Sequence, residues 1–472
     1  MMMDKSKGNY PATQHIMSCV YEGLLVNIDH GIVIESRHFV QVATSKVAGN
    51  LIRTMFLGMN EANKGASRPK DIPKTDVKKL GVLGAGMMGA GIAYVSAMAG
   101  IEVVLKDVSL EAAEKGKDYA RSLLKKAIER GKIDSLKAEG TLNLIKTTAN
   151  VTDLKGSDLI IEAVFENREL KAAVTKEAEP MLTVNGEHRL GIFGSNTSTL
   201  PITGLAKASS NPENFIGIHF FSPVDKMMLV ELIVGKQTSD YAIAVAVDYV
   251  RKIKKTPIVV NDSRGFYTSR CFGTYTSEGM ELLKDGVNPV LIENAGKLAG
   301  MPVGPLAVTD EVALDLVYKI SGQAVKDGVL AENDTSYQVG KQFTEMGRLG
   351  KKAKAGFYDY PEVGQKHLWV GLTELFPIAK VQPSLKEVKT RLLYRQALET
   401  VRCYEEGVIR TKLDANLGSI LAWGFPPYTG GTLSFVDFVG VEKFVAECDR
   451  LANTYGERFR PTQKLRQMAG LK

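Results

Sequence analysis

The chain has 472 residues, which at roughly 150 residues per domain predicts about three domains and more than one buried core. Apolar residues make up 44% of the sequence and charged residues 24%, proportions that exclude a collagen-like or largely disordered chain. The four cysteines include no C-x-x-C pair, which excludes a disulfide framework and a cysteine-rich zinc site and favours a reducing compartment. We therefore expect no resident metal.

The net charge of +7 is a mild basic excess that suits either anionic ligands or a soluble surface, and we predict no nucleic-acid partner. No apolar run reaches the roughly 18 residues that a membrane-spanning helix requires. The first residues, MMMDKSKGNYPAT, have neither the apolar core of a secretory signal nor an arginine-rich presequence, and the last residues, AGLK, are not a peroxisomal SKL signal. The sequence thus predicts a soluble protein and carries no targeting signal of these kinds.

Residues 12 to 64 carry apolar side chains at helical spacing and end in the polar stretch EANKGASRPKDIPK, so we predict helices followed by a linker. From residue 79, short apolar runs alternate with helical segments, in the order LGVLG, EVVLKD, LIIEAVF, LGIFGSN, FIGIHFF and LVELIVG. Such alternation is typical of a largely parallel sheet with crossover helices, which we place at residues 76 to 262. After Asp262 the strand-like runs end, and helical spacing continues to the C-terminus.

The helical region repeats itself. Three positions recur 121 residues later, Arg270, Glu278 and Gly286 as Arg391, Glu399 and Gly407. Two further matches have offsets of 124 and 127, Gly300-Met301-Pro302 with Gly424-Phe425-Pro426 and Asp310 with Asp437. Growing offsets are expected of a duplicated unit whose loops differ in length. We therefore predict two copies of one all-α unit, joined around residues 361 to 388.

The first strand-like run leads into a glycine-rich turn with the G-x-G-x-x-G pattern. Such glycines permit a tight turn, close approach of a pyrophosphate and close packing of the next helix, whose first N–H groups are free to bind the phosphates. Asp107 ends the next run, 18 residues after Gly89, near the spacing of a carboxylate that binds an adenosine ribose 2′-hydroxyl. Because a carboxylate repels the 2′-phosphate of NADP, we predict NAD. The residues predicted to bind it here are Gly84, Gly86, Met87, Met88, Gly89 and Asp107.

One of the six histidines has a predicted acidic partner. His219 lies in FIGIHFF and Glu231 in LVELIVG, with SPVDKMM between the two runs. If the runs pair antiparallel about residue 225, the two residues face each other with Cβ atoms about 4.5 to 5.5 Å apart. A histidine is suited to accept a hydroxyl proton as hydride leaves a carbinol carbon, and a carboxylate fixes its tautomer. The alternative, from the residues alone, is a satisfied core histidine and a strand-edge charge.

Five motifs occur in the order GAGMMGAGIA, EAVFEN, SNTSTL, HFFSPVDKMMLVE and GFYTSR. Together they resemble the L-3-hydroxyacyl-CoA dehydrogenase family of fatty-acid β-oxidation, from about Gly8 to the C-terminus. HFFSPVDKM and GFYTSR most resemble its multifunctional members, the mitochondrial trifunctional α subunit and the bacterial fatty-acid oxidation enzymes. The resemblance implies an α/β fold, with a Rossmann-type mostly parallel sheet domain followed by a duplicated all-α domain. It also implies NAD-dependent oxidation of L-3-hydroxyacyl-CoA to 3-ketoacyl-CoA.

The resemblance assigns a role to each matching residue. His219 matches the catalytic base of the family, Glu231 the acid that orients this base, and Ser198 the serine that hydrogen-bonds the substrate 3-oxygen. Glu166 and Lys171 match residues at the nicotinamide side of the cofactor site. Without the resemblance, Ser198 would be a plain turn serine and ENRELK the exposed start of a helix.

The chain departs from the family pattern in two places. Ser269, predicted to lie near the substrate carbonyl, stands in GFYTSR where shorter members have an asparagine, although multifunctional members also have a hydroxyl residue there. Those members also carry an enoyl-CoA hydratase domain before the string that resembles KGNYPA at residues 7 to 12. The resemblance therefore implies no hydratase activity in this chain, which we interpret as an expressed fragment, a processed form or a split gene product. It also predicts that residues 12 to 64 expose apolar surface.

The expected partners also follow from the resemblance. Acyl-CoA is expected as substrate, in a cleft between the sheet domain and the first helical copy. Because a tandem copy can take the place of a partner subunit, we expect a pseudo-dimeric monomer. The family further implies assembly with a thiolase, peripheral membrane association, and a mitochondrial location, or the bacterial cytoplasm for a prokaryotic source.

The predicted segments are residues 1–75 (helical linker), 76–262 (NAD-binding domain), 263–360 (first helical copy), 361–388 (linker) and 389–472 (second helical copy). Two other functions remain open at this point. One is an NAD-dependent dehydrogenase of a free hydroxy acid, and the other is a non-catalytic NAD-binding scaffold subunit.

Overall fold

A computed structural model of the chain describes residues 2–185, 188–189 and 191–470. The contacts within the chain divide it into two compact units. The sheet unit consists of residues 56–269 and 406–422, and the helical unit consists of the described residues within 1–55, 270–405 and 423–472.

The strands are, in chain order, β1 Lys79–Leu83, β2 Glu102–Lys106, β3 Ile145–Thr148, β4 Leu159–Glu162, β5 Val184–Asn185, β6 His188–Arg189, β7 Ile192–Ser195, β8 Phe215–Phe220, β9 Leu229–Val234, β10 Thr256–Asn261, β11 Tyr358–Asp359 and β12 His367–Leu368. Over the residues described, eight of them form one sheet in the order β10-β9-β8-β7-β4-β1-β2-β3. Neighbouring strands are parallel except β8 and β9, which are antiparallel. The predicted mostly parallel sheet is therefore confirmed.

All six strand-like runs of the sequence form strands of this sheet, but β3 and β10 were missed. Both lie at the ends of the strand order. β3 reads IKTT with an exposed lysine, and β10 carries Pro257, a residue that edge strands tolerate because it donates no hydrogen bond. The short pair β11 and β12 is a further exception to the prediction that strands end at Asp262.

The helices, in chain order, are α1 Met2–Ser6, α2 Pro11–Gly23, α3 Ile28–Ala43, α4 Lys46–Leu51, α5 Met59–Asn63, α6 Met87–Met98, α7 Leu110–Glu129, α8 Ser135–Asn143, α9 Arg168–Ala178, α10 Ile202–Leu205, α11 Asp240–Lys252, α12 Thr268–Lys284, α13 Pro289–Ala299, α14 Pro305–Val312, α15 Leu314–Lys326, α16 Thr335–Glu345, α17 Leu372–Leu375, α18 Leu385–Glu405, α19 Lys412–Trp423, α20 Thr432–Val439, α21 Val441–Tyr455 and α22 Gln463–Met468. A π-helical segment, Ile52–Gly58, joins α4 to α5. Short 3-10 turns lie at Val151–Leu154, Glu179–Met181, Ala206–Ala208, Pro212–Asn214, Lys351–Ala353, Pro427–Thr429 and Glu457–Phe459.

The sheet unit extends beyond the predicted residues 76 to 262 because flanking segments bond to it. Arg68 donates from Nε and Nη2 to the two carboxylate oxygens of Asp248, both at 2.9 Å. The backbone N–H of Asn261, in β10, donates to the carbonyl of Val408 at 2.8 Å. These bonds place residues before 76 and after 405 with the sheet, while the five-segment division itself stays a prediction.

The first long helices expose apolar surface, as the resemblance predicts. α2 and α3 contact each other, and neither contains a buried residue. Their exposed large apolar side chains include Ile16, Met17, Val20, Tyr21, Ile28, Ile32, Val33, Phe39 and Val40. The prediction that residues 12 to 64 form helices with exposed apolar surface is thus confirmed.

The duplication predicted from sequence recurs in the helix boundaries. α14 and α20 begin and end 127 residues apart, and α15 and α21 begin 127 residues apart. Between these helices, Ala313 has φ of 88° and its counterpart Gly440 has φ of 98°. A positive φ is unfavourable for alanine, so its retention in the first copy shows that both copies need the same backbone path at this junction.

The two copies make reciprocal contacts inside the helical unit. Arg270 of α12 donates from Nε to Glu399 of α18 at 2.7 Å, and Arg391 of α18 donates from Nε to Glu278 of α12, also at 2.7 Å. Arg270 and Arg391 are counterparts in the repeat, and so are Glu278 and Glu399. Each copy therefore contributes the same arginine and the same glutamate to the contact. Such exchange of equivalent partners is what a two-fold relation between identical subunits requires. The two copies are related as the halves of a dimer would be.

A second pair of contacts follows the same rule. Gly300, with φ of 103°, packs against Pro426, and its counterpart Gly424, with φ of 74°, packs against Pro302. The offset between counterparts is 124 in both directions, as in the sequence repeat. The glycines are required here because a side chain in either place would meet the facing proline ring.

Candidate functional site

The carboxyl ends of β1, β4, β7 and β8 meet at one edge of the sheet, because these strands are neighbours and parallel. β1 and β4 lie on either side of the point where the strand order changes direction, since β2 follows β1 on one side and β7 follows β4 on the other. Ligands of open parallel sheets bind at such a point, beyond the carboxyl ends of the strands. This edge is therefore where a ligand of the sheet unit is expected to bind.

The glycine turn follows β1 and leads into α6. Gly84 has φ of 92°, and a Cβ placed on it would lie 2.8 Å from the carbonyl oxygen of Ala163 at the end of β4. A Cβ on Gly89 would collide with the carbonyl oxygen of Gly84. Gly86 is the N-cap of α6 and has open space where its Cβ would be. The turn is therefore a backbone cradle that fits a pyrophosphate, as predicted for NAD.

Asp107 lies beside this turn at the end of β2. Its Oδ2 accepts a hydrogen bond from the backbone N–H of Ala85 at 2.6 Å, and its Oδ1 accepts one from that of Val108 at 2.7 Å. The carboxylate thus stabilises the glycine turn directly. Met87 begins α6 with its side chain largely exposed, and Met88 is half-buried.

The structure brings His219 and Glu231 together as the hairpin argument predicts. They are directly opposed in the antiparallel pair of β8 and β9, and His219 Nδ1 lies 2.9 Å from Glu231 Oε2. The histidine is 5% exposed, and its ring centroid lies 4.5 Å from that of Phe221 and 6.1 Å from that of Phe266. The predicted register of the two strands is confirmed. The catalytic role of His219 and Glu231 remains a prediction.

Glu231 is buried and receives several hydrogen bonds besides that of the imidazole. The Thr268 hydroxyl donates to Oε2 at 2.5 Å, and the backbone N–H groups of Tyr267 and Thr268 donate to Oε1 at 3.1 and 3.0 Å. These groups lie at the N-terminus of α12, where free N–H groups favour a carboxylate. They hold Glu231 in place as a hydrogen-bond acceptor for His219 Nδ1.

Thr268 was missed by the sequence reasoning, which selected the next residue, Ser269. In the structure Ser269 is half-buried in the first turn of α12, and Thr268 is the residue whose hydroxyl bonds to Glu231. The available signal was the start of a helix soon after Gly265, since a helix start offers donors to a nearby acid. The predicted role of Ser269 near the substrate carbonyl stays untested.

Glu162 ends β4 and is buried, Glu166 lies in the loop that follows β4, and Lys171 lies in the first turn of α9. Lys171 is 2% exposed, and its Nζ lies 3.0 and 2.9 Å from the two oxygens of Glu162 and 3.5 Å from Glu166 Oε2. Burial raises the pKa of Glu162, and the Lys171 ammonium opposes this effect. Burial would also raise the pKa of Glu166, but the Lys171 charge and the hydroxyls of Thr197 and Thr199 outweigh it and lower the pKa.

Ser198 belongs to the loop that follows β7. Its backbone N–H donates to Glu166 Oε1 at 3.0 Å, and the same oxygen accepts from Thr197 Oγ1 at 2.6 Å and from the N–H of Thr199 at 3.1 Å. The side chain of Ser198 is exposed. Nearby, Asn196 Oδ1 accepts a hydrogen bond from the N–H of Phe220 in β8 at 2.8 Å. The loop carrying Ser198 is thus held both to Glu166 and to the strand of His219.

Neither a metal-ligand cluster nor a helix suited to cross a membrane occurs in the described part of the chain. Across residues 2–185, 188–189 and 191–470, the structure has no group of three or more histidine, cysteine, aspartate or glutamate side chains arranged to hold a metal ion. Within the same ranges, no helix combines the length and the apolar character needed to cross a membrane.

Two family models match the sequence. "3-hydroxyacyl-CoA dehydrogenase, NAD binding domain" matches residues 79–263, and "3-hydroxyacyl-CoA dehydrogenase, C-terminal domain" matches residues 265–360. Among curated relatives, the "Fatty acid oxidation complex subunit alpha" of Shewanella oneidensis is 36% identical over 473 residues, which cover 99% of this chain and 66% of that protein. The chain therefore spans about two thirds of the length of this relative.

Solved structures of similar proteins agree with these matches. The (S)-3-hydroxybutyryl-CoA dehydrogenase of Ralstonia eutropha is 34% identical, covers 61% of this chain and 100% of its own, and superposes with a TM-score of 0.57. The 3-hydroxybutyryl-CoA dehydrogenase of Escherichia coli K12 covers 84% of this chain and 98% of its own, with a TM-score of 0.72. At 24% identity, the second likeness is one of fold.

Proposed function

We propose, since this chain belongs to the 3-hydroxyacyl-CoA dehydrogenase family, that it oxidises the 3-hydroxyl group of an L-3-hydroxyacyl-CoA with NAD in fatty-acid β-oxidation. The observation that carries the proposal is the buried pair of His219 and Glu231, 2.9 Å apart on neighbouring strands. The sheet edge that holds His219 also holds the glycine turn, which is built to bind a pyrophosphate. The products are a 3-ketoacyl-CoA, NADH and a proton.

The proton of the reacting hydroxyl moves to His219. The imidazole donates its Nδ1 proton to Glu231, a tautomer assigned from the hydrogen bond, so that Nε2 is the nitrogen left to act as base. The Glu231 carboxylate stabilises the imidazolium that forms. NAD, when bound, supplies the hydride acceptor. Ser198, on the loop held by Glu166, donates a hydrogen bond to the 3-oxygen in this proposal.

The other predicted site residues have binding roles in the proposal. The turn from Gly84 to Gly89, with Met87 and Met88 at the start of α6, binds the pyrophosphate, and Asp107 binds the adenosine ribose. Glu166 and Lys171 lie at the nicotinamide side, and Ser269 lies near the substrate carbonyl.

A comparison of two oxidised substrates tests the proposal against its rivals. NADH absorbance is followed in the reverse direction with acetoacetyl-CoA and, separately, with free acetoacetate. We expect turnover of the thioester alone, because the family acts on acyl-CoA. Equal turnover of the free acid would favour a hydroxy-acid dehydrogenase, and no turnover of either would favour the NAD-binding scaffold.

The reciprocal contacts of the two helical copies support a pseudo-dimeric monomer. Since Glu278 and Glu399 each already bind an arginine of the other copy, this interface is filled within one chain. Sedimentation equilibrium is expected to give the mass of one chain, 51.4 kDa. A stable dimer at micromolar concentration would contradict the proposal.

Assembly with a thiolase, peripheral membrane association and a mitochondrial location stay predictions from the family. The curated relative named above is bacterial. Mixing the purified chain with a bacterial fatty-acid oxidation thiolase tests the first of these predictions, because a complex sediments faster than either component. Sedimentation of the mixture as two separate species would contradict it.

A further inference from the structure

Glu162 is a buried acid with no part in the proton transfer described above. It is 1% exposed at the end of β4, and its two oxygens lie 3.0 and 2.9 Å from Nζ of Lys171. The same ammonium lies 3.5 Å from Glu166 Oε2. We call Glu162, Lys171 and Glu166 the acid–lysine cluster. Burying the Glu162 carboxylate and the Lys171 ammonium together is costly, so the arrangement calls for a functional explanation.

The contacts of Glu162 fit an ionised carboxylate. Besides Lys171, which reaches both of its oxygens, it accepts hydrogen bonds from the Ser195 hydroxyl and from the backbone N–H of Val164 at 3.3 Å. Of these partners, the ammonium and the backbone N–H can only donate, and the Ser195 hydroxyl is the one that could also accept. Glu166 also meets donors, among them Lys171 and the Thr197 hydroxyl. With both acids ionised, the cluster carries a net charge of minus one.

The cluster lies where the nicotinamide ring is expected. The glycine turn follows β1, and His219 lies in β8, three strands away in the order β1-β4-β7-β8. Three strand spacings are about 14 Å, so a dinucleotide bound at the turn and reacting beside His219 must extend over the ends of β4 and β7. Glu162 ends β4, and its register neighbours are Leu83 at the end of β1 and Ser195 at the end of β7. This step rests on the proposed function, because it uses His219 as the base.

We propose that the net negative charge of the acid–lysine cluster raises the affinity of the site for oxidised NAD relative to its affinity for NADH, with Glu162 as the residue that sets this charge. The nicotinamide ring of oxidised NAD carries one positive charge, which disappears when hydride is added. A fixed negative charge beside the ring therefore stabilises the oxidised form and has little effect on the reduced form. In a buried site such an interaction is only weakly screened by salt.

The test is the ratio of two dissociation constants, that of NADH divided by that of NAD, measured by calorimetric titration without acyl-CoA. Glu162→Gln leaves the cluster with one ammonium and one carboxylate, so its net charge becomes zero. Coulomb's law for unit charges roughly 8 Å apart, at an effective dielectric constant of about 40, gives a fall in the ratio on the order of fivefold. This change equals about 1 kcal/mol of preference.

A double variant separates charge from structure. Glu162→Gln combined with Lys171→Met leaves Glu166 as the one charged member, which restores the net charge of minus one. We expect the ratio to return to within about twofold of the wild-type value. If Glu162 acted only by holding the structure together, the ratio of the double variant should differ from the wild-type ratio at least as much as that of the single variant does. A double variant that stays at the single variant's ratio would therefore overturn the proposal.

Glu179→Gln is the matched control. Glu179 is 3% exposed and accepts hydrogen bonds from Ser209, Ser210 and Asn211, but it follows α9 and so lies away from the carboxyl edge where α9 begins. Its ratio of NADH to NAD dissociation constants should equal that of the wild type.

An equal loss of affinity for both cofactor forms in Glu162→Gln would contradict the charge argument. Because these titrations contain no acyl-CoA, a failure of the proposed function would appear in the turnover assay, separately from this ratio.

Discussion

Glu399 connects the two helical copies, and its removal has a stability effect that depends on pH. Its carboxylate accepts hydrogen bonds from Arg270 at 2.7 Å and from Arg395 and Arg402 at 2.9 Å, and its side chain is 9% exposed. Burial alone would raise the pKa of Glu399, but the three guanidinium groups outweigh it and lower the pKa to about 2. We predict that Glu399→Gln destabilises the helical unit strongly at neutral pH and much less at low pH.

The magnitude follows from the pKa change. The ordinary value is 4.5, so the folded state lowers the pKa of Glu399 by between two and three units. At about 1.36 kcal/mol per unit, this corresponds to roughly 3 kcal/mol of unfolding free energy. Because the folded pKa is the lower one, the contribution is fully present above about pH 5 and is lost as the pH falls towards 2.

Urea titrations followed by tryptophan fluorescence measure this effect. Both tryptophans, Trp369 and Trp423, belong to the helical unit, so the signal reports on that unit. The difference in unfolding free energy between the wild type and Glu399→Gln should be about 3 kcal/mol at pH 7 and under about 1 kcal/mol near pH 2.5. A difference that is the same at both pH values would refute the linkage argument.

Glu457→Gln is the control for this experiment. Glu457 also binds an arginine, Arg460, at 2.7 Å, but its side chain is 77% exposed. Exposed ion pairs contribute little because water screens them, so the control should unfold at the same urea concentration as the wild type at neutral pH.

Two further predictions concern the sheet unit. Gly84→Ala should weaken NAD binding by about tenfold or more, because φ is 92° and the new Cβ would lie 2.8 Å from the carbonyl oxygen of Ala163. Calorimetric titration measures the NAD dissociation constant of this variant. A wild-type affinity would show that the turn does not bind the cofactor. Thr268→Val should lower kcat by about tenfold and leave the NAD dissociation constant unchanged. The reason is that it removes a hydrogen bond to the Glu231 carboxylate worth about 1.5 kcal/mol or more. Steady-state kinetics with acetoacetyl-CoA test the second prediction, and an unchanged kcat with a raised KM would contradict it.

The sequence predicted the parts of the fold and site that depend on local pattern. The glycine turn and Asp107 come from one strand–helix–strand unit, so spacing alone places them together. His219 and Glu231 flank a short connection, and a short connection leaves few registers for an antiparallel pair. The repeat of Arg270 and Glu278 as Arg391 and Glu399 indicated the duplication, because counterparts keep the same contacts.

The residues that sequence reasoning missed act across long separations. Thr268 reaches Glu231 from 37 positions away, and Ser195 reaches Glu162 from 33 positions away. Their motifs, GFYTSR and SNTSTL, were recognised, but which hydroxyl of a motif faces the acid depends on how the helix start and the strand end are oriented. The strands β3 and β10 were missed for another reason: β3 reads IKTT, with one aliphatic residue, and β10 contains Pro257, a residue that is unfavourable within most strands.

In the proposed mechanism His219 accepts the substrate proton, and Glu231 stabilises the imidazolium that forms. The most direct test compares the wild type with His219→Gln in the oxidation of L-3-hydroxybutyryl-CoA by NAD, together with the NAD dissociation constant of each protein. We expect a loss of kcat of about a thousandfold with NAD affinity within about twofold, because a general base typically contributes a factor of 100 to 10,000. A variant that retains more than about a tenth of the wild-type kcat would contradict the claim.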